Sequence, residues 1–146
     1  MQNAHVLNLR REEQADIRVS ELRRARRDAY VAFLDRVAEA VHLITKTHDA
    51  HLSSDEFQAA FTEAWNKANS LVPLINVVAI EGPIEVLECA RELRKALYGE
   101  LKTVQAARQG RQSRAAATEA ADRRRRAVSA TSSAAREALG SNMSTR

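Results

Sequence analysis

Three stretches of this chain repeat one apolar rhythm, stepping alternately by four and three residues. The first runs Tyr30, Leu34, Val37, Val41, Ile44. The second runs Phe57, Phe61, Ala64, Ala68, Leu71, Ile75, Val78. The third runs Val86, Ala90, Leu93, Leu97, Leu101, Val104, with a hop in register at Leu101. This spacing lays a narrow apolar seam along each of three helices, the pattern by which helices pack on one another. No stretch carries the two-residue alternation of a strand. The abundance of Ala, Arg, Leu and Glu and the scarcity of Gly and Pro favour long helices for the same reason, since these side chains lose little on entering a helix. At 146 residues the chain is one domain with tails.

Punctuation residues set the boundaries. The first helix is expected from about residue 10 to 51, after a flexible segment over residues 1–9. Ser53 and Glu56 form a capping-box pair that opens the second helix, expected over 54–80. Pro73 interrupts it, but the seam stays in phase from Ala68 to Val78, so a kinked helix is expected. A fresh start capped by Ser70 is the alternative. Gly82 ends this helix and Pro83 opens the third, over 83–109, at its first position. Gly110 interrupts weakly. Residues 111–146 are rich in Arg, Ala and Ser, and are expected to be partly helical or disordered, with Gly140 to Arg146 disordered. Within this tail Glu119–Arg123 and Asp122–Arg126 stand at helical spacing. The expected fold is thus all-α: an elongated antiparallel three-helix up-down-up bundle, or coiled-coil hairpin, over residues 10–110, with basic terminal extensions. The second helix is shorter than the first, so residues 10–25 should overhang one end of the bundle and the tail after 110 the other.

Charge is unevenly spread. Residues 1–30 hold seven arginines against five acids, residues 31–110 eight bases against eleven acids, and residues 111–146 eight arginines against three acids. Two arginine clusters result: Arg23, Arg24, Arg26 and Arg27, and then Arg123, Arg124, Arg125 and Arg126. The first should lie at the same end as Glu81, Glu85, Glu88 and Glu92, where inter-helix ion pairing is the preferred reading. The second reads first as a solvated charged segment. Contact with an acidic partner or with nucleic acid is the competing reading for both. No aromatic residue is interleaved for base stacking and no sequence-reading DNA motif is present, so nucleic-acid binding would be non-specific.

Chemistry finds little foothold. Glu39 and His42 have the Glu-x-x-His spacing of di-iron bundles, but no second such motif exists. His48 and His51, with Asp49, form a weak metal candidate, better read as continuing the seam and complementing a helix C-terminus. Cys89, the single cysteine, has no His nearby in sequence and reads as a half-buried small side chain. Trp65 and Tyr98 flank seams as core fillers or interface anchors. No phosphate loop or nucleophile elbow is present. No enzyme activity and no cofactor are expected. The start lacks a secretion signal and no run spans a bilayer, so a cytoplasmic protein without membrane contact is expected.

The run Arg26-Arg27-Asp28-Ala29-Tyr30-x-x-Phe33-Leu34, followed by Val77-Val78-Ala79-Ile80-Glu81-Gly82-Pro83-x-x-Val86, resembles uncharacterised helical proteins of high-GC actinobacteria over about residues 20–110. The resemblance implies a helical hairpin or bundle and no activity. The resulting expectation is a non-enzymatic interaction or scaffold protein. Its thin, alanine-rich core favours self-association, into a homo-oligomer or with another protein. The association seam is expected to be Tyr30, Leu34, Val37, Val41, Ile44, Phe57, Phe61, Leu71, Ile75, Leu93, Leu97 and Val104. The alternative is a non-specific nucleic-acid-binding protein working through the two arginine clusters.

Overall fold

The computed structural model describes residues 2–141. Among them are five α-helices and no strand: α1 Gln2–Thr47, α2 Ser54–Asn69, α3 Leu71–Glu81, α4 Ile84–Arg108 and α5 Arg114–Ser141. None of these helices is long and apolar enough to cross a membrane. The punctuation read from the sequence recurs at the joints. Ser53 Oγ accepts the Glu56 N–H at 3.1 Å, and the Glu56 carboxylate accepts the Ser53 N–H at 3.0 Å. Gly82, at φ 59°, closes α3 by donating its N–H to the Val78 carbonyl at 2.9 Å. Pro83 sits one place earlier than expected, as the N-cap of α4 and not its first helical residue.

The second rod breaks at one residue. Ser70 keeps a helical conformation and its N–H still reaches the Asn66 and Lys67 carbonyls at 3.1 Å. Pro73 lacks the N–H that would bind Asn69, which stops the ladder there. The seam crosses the break in phase, with Ala68, Leu71, Ile75 and Val78 all buried. Ser70 makes no side-chain cap to α3.

Successive rods run antiparallel. Lys67 meets Glu39 at 3.1 Å between α2 and α1, Tyr98 donates to Asn69 between α4 and α2, and Thr131 of α5 donates to the Cys89 carbonyl of α4 at 3.2 Å. α1 and α4 therefore run parallel. Two bonds hold this alignment, from Tyr30 of α1 to the Gly82 carbonyl in the α3–α4 turn and from His48, just past the end of α1, to Glu100 of α4, each spanning 52 residues of sequence.

Three expectations need correction. First, α1 begins at Gln2, so residues 2–9 are helical and not a separate flexible segment; α1 also ends at Thr47, short of residue 51. Residue 1 lies outside the described residues. Second, the centre of the α1 seam is Phe33, Val37, Ala40 and Ile44, with Tyr30 buried beside it, while Leu34 and Val41 are half-buried at its flank. The seam is turned because α1 packs on α3, α4 and α5 as well as on α2.

Third, residues 114–141 form a fourth packed rod, and α5 on α4 is the most extensive helix contact in the molecule. Gly110, at φ 75°, ends α4, and Ser113 Oγ accepts the Ala116 N–H at 3.1 Å to start α5. The buried stripe of α5 is Ala117, Ala121, Arg124, Thr131, Ala135 and Ala138, with Val128 half-buried in line. Its steps are again four and three. Small side chains at these points let two backbones approach closely, so the helix packs without large apolar residues. Gly140 belongs to α5 and is not disordered; residues 142–146, the rest of that expectation, lie outside the described residues.

Candidate functional site

Tyr30, Val37, Ile44, Phe57, Leu71, Ile75, Leu93, Leu97 and Val104 are buried inside the single chain, and Leu34, Val41 and Phe61 are half-buried against them. This overturns their reading as an association seam. The four rods satisfy one another, which leaves the nine buried side chains almost no surface to offer a second molecule. Trp65 fills the same interior: its ring stacks on Phe61 at 5.8 Å and meets Tyr98 edge-on at 4.9 Å.

Two other regions stand out. The first is the end of the bundle at the α3–α4 turn. Arg26 Nε donates to the Glu81 carbonyl at 3.1 Å, and the Tyr30 hydroxyl donates to the Gly82 carbonyl. Burial pushes the Tyr30 phenol up; the Arg26 guanidinium opposes this and the Glu81 carboxylate adds to it. These bonds fix where the α3–α4 hairpin stops alongside α1. Beyond that level α1 continues alone, and every residue from Asn3 to Leu22 is exposed. Six large apolar side chains sit on this overhang: Val6, Leu7, Leu9, Ile17, Val19 and Leu22. Val19 and Leu22 stand at seven and four residues before Arg26, in phase with Ala29 and Phe33, so they prolong the core face of α1 into solvent. At the same end the hairpin tip exposes Val77, Ile80 and Ile84, with Ile80 at 80% and Leu22 at 65% exposure.

The first arginine cluster lies here. Arg24 and Arg27 are exposed, and Arg23 and Arg26 are half-buried. Arg26 reaches the backbone of Glu81 and not its carboxylate. Glu85 and Glu88 form no ion pair among the described residues, and Glu92 pairs with Lys95 on its own helix at 3.1 Å.

The second region is a buried ionic clasp toward the opposite end. Glu100 is fully buried, at the position where a three-residue step from Leu97 lands. The hop to Leu101 in the apolar rhythm marks this residue. Arg124 donates from Nε to Glu100 Oε1 at 2.8 Å and from Nη2 to Oε2 at 3.3 Å. His48 Nε2 meets Oε2 at 2.8 Å. One carboxylate thus ties α4 to α5 and to the end of α1. Burial pushes the Glu100 carboxyl up, but the hydrogen bonds and charges of His48 and Arg124 outweigh it and hold the carboxyl below its ordinary value.

The second arginine cluster is therefore split. Arg124 is buried and neutralised, which corrects its reading as a surface contact. Arg125 pairs with Asp122 at 2.5 Å in place of the expected Asp122–Arg126, and Arg123 and Arg126 remain exposed. The clasp is 16 residues up α4 from its first turn, roughly 24 Å from the end that carries the first cluster. The two clusters do not join into one basic track.

Among the described residues no three His, Cys, Asp or Glu side chains gather to hold a metal. His48 is turned to Glu100. His51 is exposed, and its backbone N–H binds Asp49 Oδ1 at 2.9 Å. Glu39 pairs with Lys67 and, at 3.6 Å, with Arg36. Cys89 is half-buried. A cleft of about 630 Å³ opens beside the clasp, lined by His48, Asp49, Val104, Arg108, Arg114 and Thr118 among others. The exposed apolar overhang was foreshadowed by comparing helix lengths. The clasp was missed, and its one signal was the register hop. No protein-family model, curated protein or solved structure matches the chain.

Proposed function

We propose that this chain is a non-enzymatic helical interaction protein whose working surface is the overhang of α1 together with the tip of the α3–α4 hairpin. One observation carries the reading: α1 runs on for some five turns past its last packing partner with six large apolar side chains in water. Single exposed apolar residues are ordinary on protein surfaces. A run of them on one unpaired helix, some in phase with a packed core, is the form of a docking element. Each such side chain gains about 1.5–3 kcal/mol on full burial. An isolated helix of this length is marginal in water, and here the packed part of α1 nucleates it, so a partner need only cover it. The separation of the two arginine clusters favours this reading over nucleic-acid binding.

A photo-crosslinking side chain at position 22, in the full chain expressed in cells, tests it. Covalent adducts with protein are expected there, and none from the same group at Arg125 on the exposed face of α5. Absence of adducts at position 22 overturns the reading, and adducts with nucleic acid replace it with the nucleic-acid alternative.

A further inference from the structure

We propose that the cleft between α3 and α4 binds a monocarboxylate with an apolar tail, its carboxylate held by Arg94. The site is independent of the interaction-surface reading. It rests on Arg94, on the charges around that residue and on the lining of the cleft.

Arg94 is half-buried on α4, and its Nε is shielded from solvent without a hydrogen-bond partner. Nor does Arg94 form an ion pair among the described residues. Buried N–H groups are ordinarily paired, because one left bare has given up water with nothing in return. The head group lies against the Tyr98 ring, with Cζ 5.1 Å from the ring centroid. Tyr98 is itself fixed, by donating to Asn69 and by meeting Trp65 edge-on at 4.9 Å. The guanidinium is therefore held in place with a donor to spare, which suits it to a flat acceptor such as a carboxylate.

Arg94 lines a cleft of about 510 Å³, a volume ordinary for a small-ligand site. The α3 wall offers Val72, Ile75 and Ala79, and the α4 wall offers Leu87. Val72 and Ala79 are seven residues apart on α3, about 10 Å along the helix. That length and lining take one short acyl tail, whose burial is the ordinary source of affinity for an amphiphile.

Charge sets the head group. The rim carries Glu88, Arg91, Glu92 and Lys95, all exposed, with Glu92 and Lys95 paired at 3.1 Å. These four charges cancel. Arg94, half-buried below them, leaves the cleft one positive charge in excess, and a single negative charge answers it. A phosphate head carries about 1.5–2 negative charges and sets its surplus against Glu88 and Glu92.

Equilibrium dialysis of the full chain against labelled octanoate, kept below its micelle concentration, tests the site. Saturable uptake of one octanoate per chain is expected. Octanol, with the same tail and no charge, should bind at least about tenfold more weakly. Octyl phosphate should also bind less well than octanoate. Arg94→Met keeps an apolar stem and removes the donors, and should lower octanoate affinity by about tenfold or more. The octanol comparison uses the native chain, so it stands should that variant fail to fold. Absence of saturable uptake overturns the site. So does octanol bound as tightly as octanoate, or octanoate bound by Arg94→Met at native strength, which places the ligand elsewhere on the chain. Octyl phosphate bound as tightly as octanoate overturns the monocarboxylate as the ligand class.

Discussion

Leucine at Glu100 strands the Arg124 guanidinium, whose side chain is only 8% exposed, as a buried cation without its carboxylate. Opposite charges about 4 Å apart, at the effective dielectric of a protein, interact by about 4 kcal/mol. Removing one partner of a buried pair costs about 3–5 kcal/mol, and the two figures agree. Arg124→Leu leaves Glu100 with only His48, at 2.8 Å, and falls in the same range. Leucine at both positions removes the buried charge altogether and leaves Thr131 as the one polar side chain in the two four-and-three stripes. Replacements of this kind are neutral or stabilising by about 1–4 kcal/mol. His48, 28% exposed, then turns its Nε2 to water. The double variant should therefore be more stable than either single variant. Urea unfolding followed by far-ultraviolet circular dichroism at neutral pH measures this directly. Each single variant should lose about 10 °C of melting temperature, at about 2–4 °C per kcal/mol for a chain of this size. Single variants within about 1 kcal/mol of the native chain, or a double variant worse than both, would refute the description of Glu100 and Arg124 as a desolvated pair.

Two more outcomes follow from the same packing. The Glu100 carboxyl is held below its ordinary value of 4.5, so as pH falls the unfolded chain takes up this proton before the folded chain does. The clasp's contribution is complete above that value and is lost as pH drops through the lower folded value. Melting temperature should thus fall more steeply below pH 4.5 in the native chain than in the double leucine variant. Ala135→Leu forces a large side chain between α5 and α4 and should cost about 1–3 kcal/mol. Hydrogen exchange should then speed up along α5 while α1 to α4 change little.

The legible parts of this fold were those written in strong local signals. Ser53 with Glu56 and Gly82 with Pro83 announce the first two of the three reversals because capping and positive φ each require particular residues. The large apolar seams announce three rods because Leu, Ile, Val and Phe stand out against a polar background. The packing of α5, expected only as a partly helical tail, is not legible because its stripe is written in Ala, Arg and Thr, which also fill solvated helices. Its four-and-three steps become visible only once Arg124 is known to be an interior residue. That in turn depends on Glu100, 24 residues away on another helix, and local spacing carries no information about such a partner. The α1 seam was set off-centre for a related reason. Leu34 and Val41 are larger than Ala40, yet Ala40 is the fully buried residue, and side-chain size in the sequence does not show which side of α1 its neighbours cover.

Two bonds fasten the α1 rod at separate levels, one to the α3–α4 turn and one to α4. Tyr30 and His48 are 18 residues apart, and so are their partners Gly82 and Glu100. Eighteen residues are five full turns of α-helix, so both fastenings emerge from one side of α1. One residue added between them would swing the far fastening by about 100° around the rod, taking His48 away from Glu100 while Tyr30 stayed in place. A residue added before Leu22 disturbs neither fastening and only rotates the free end. Length changes should therefore accumulate in the overhang over the history of such a chain, where they alter what it docks against. Between Tyr30 and His48 the helix is fixed to the residue.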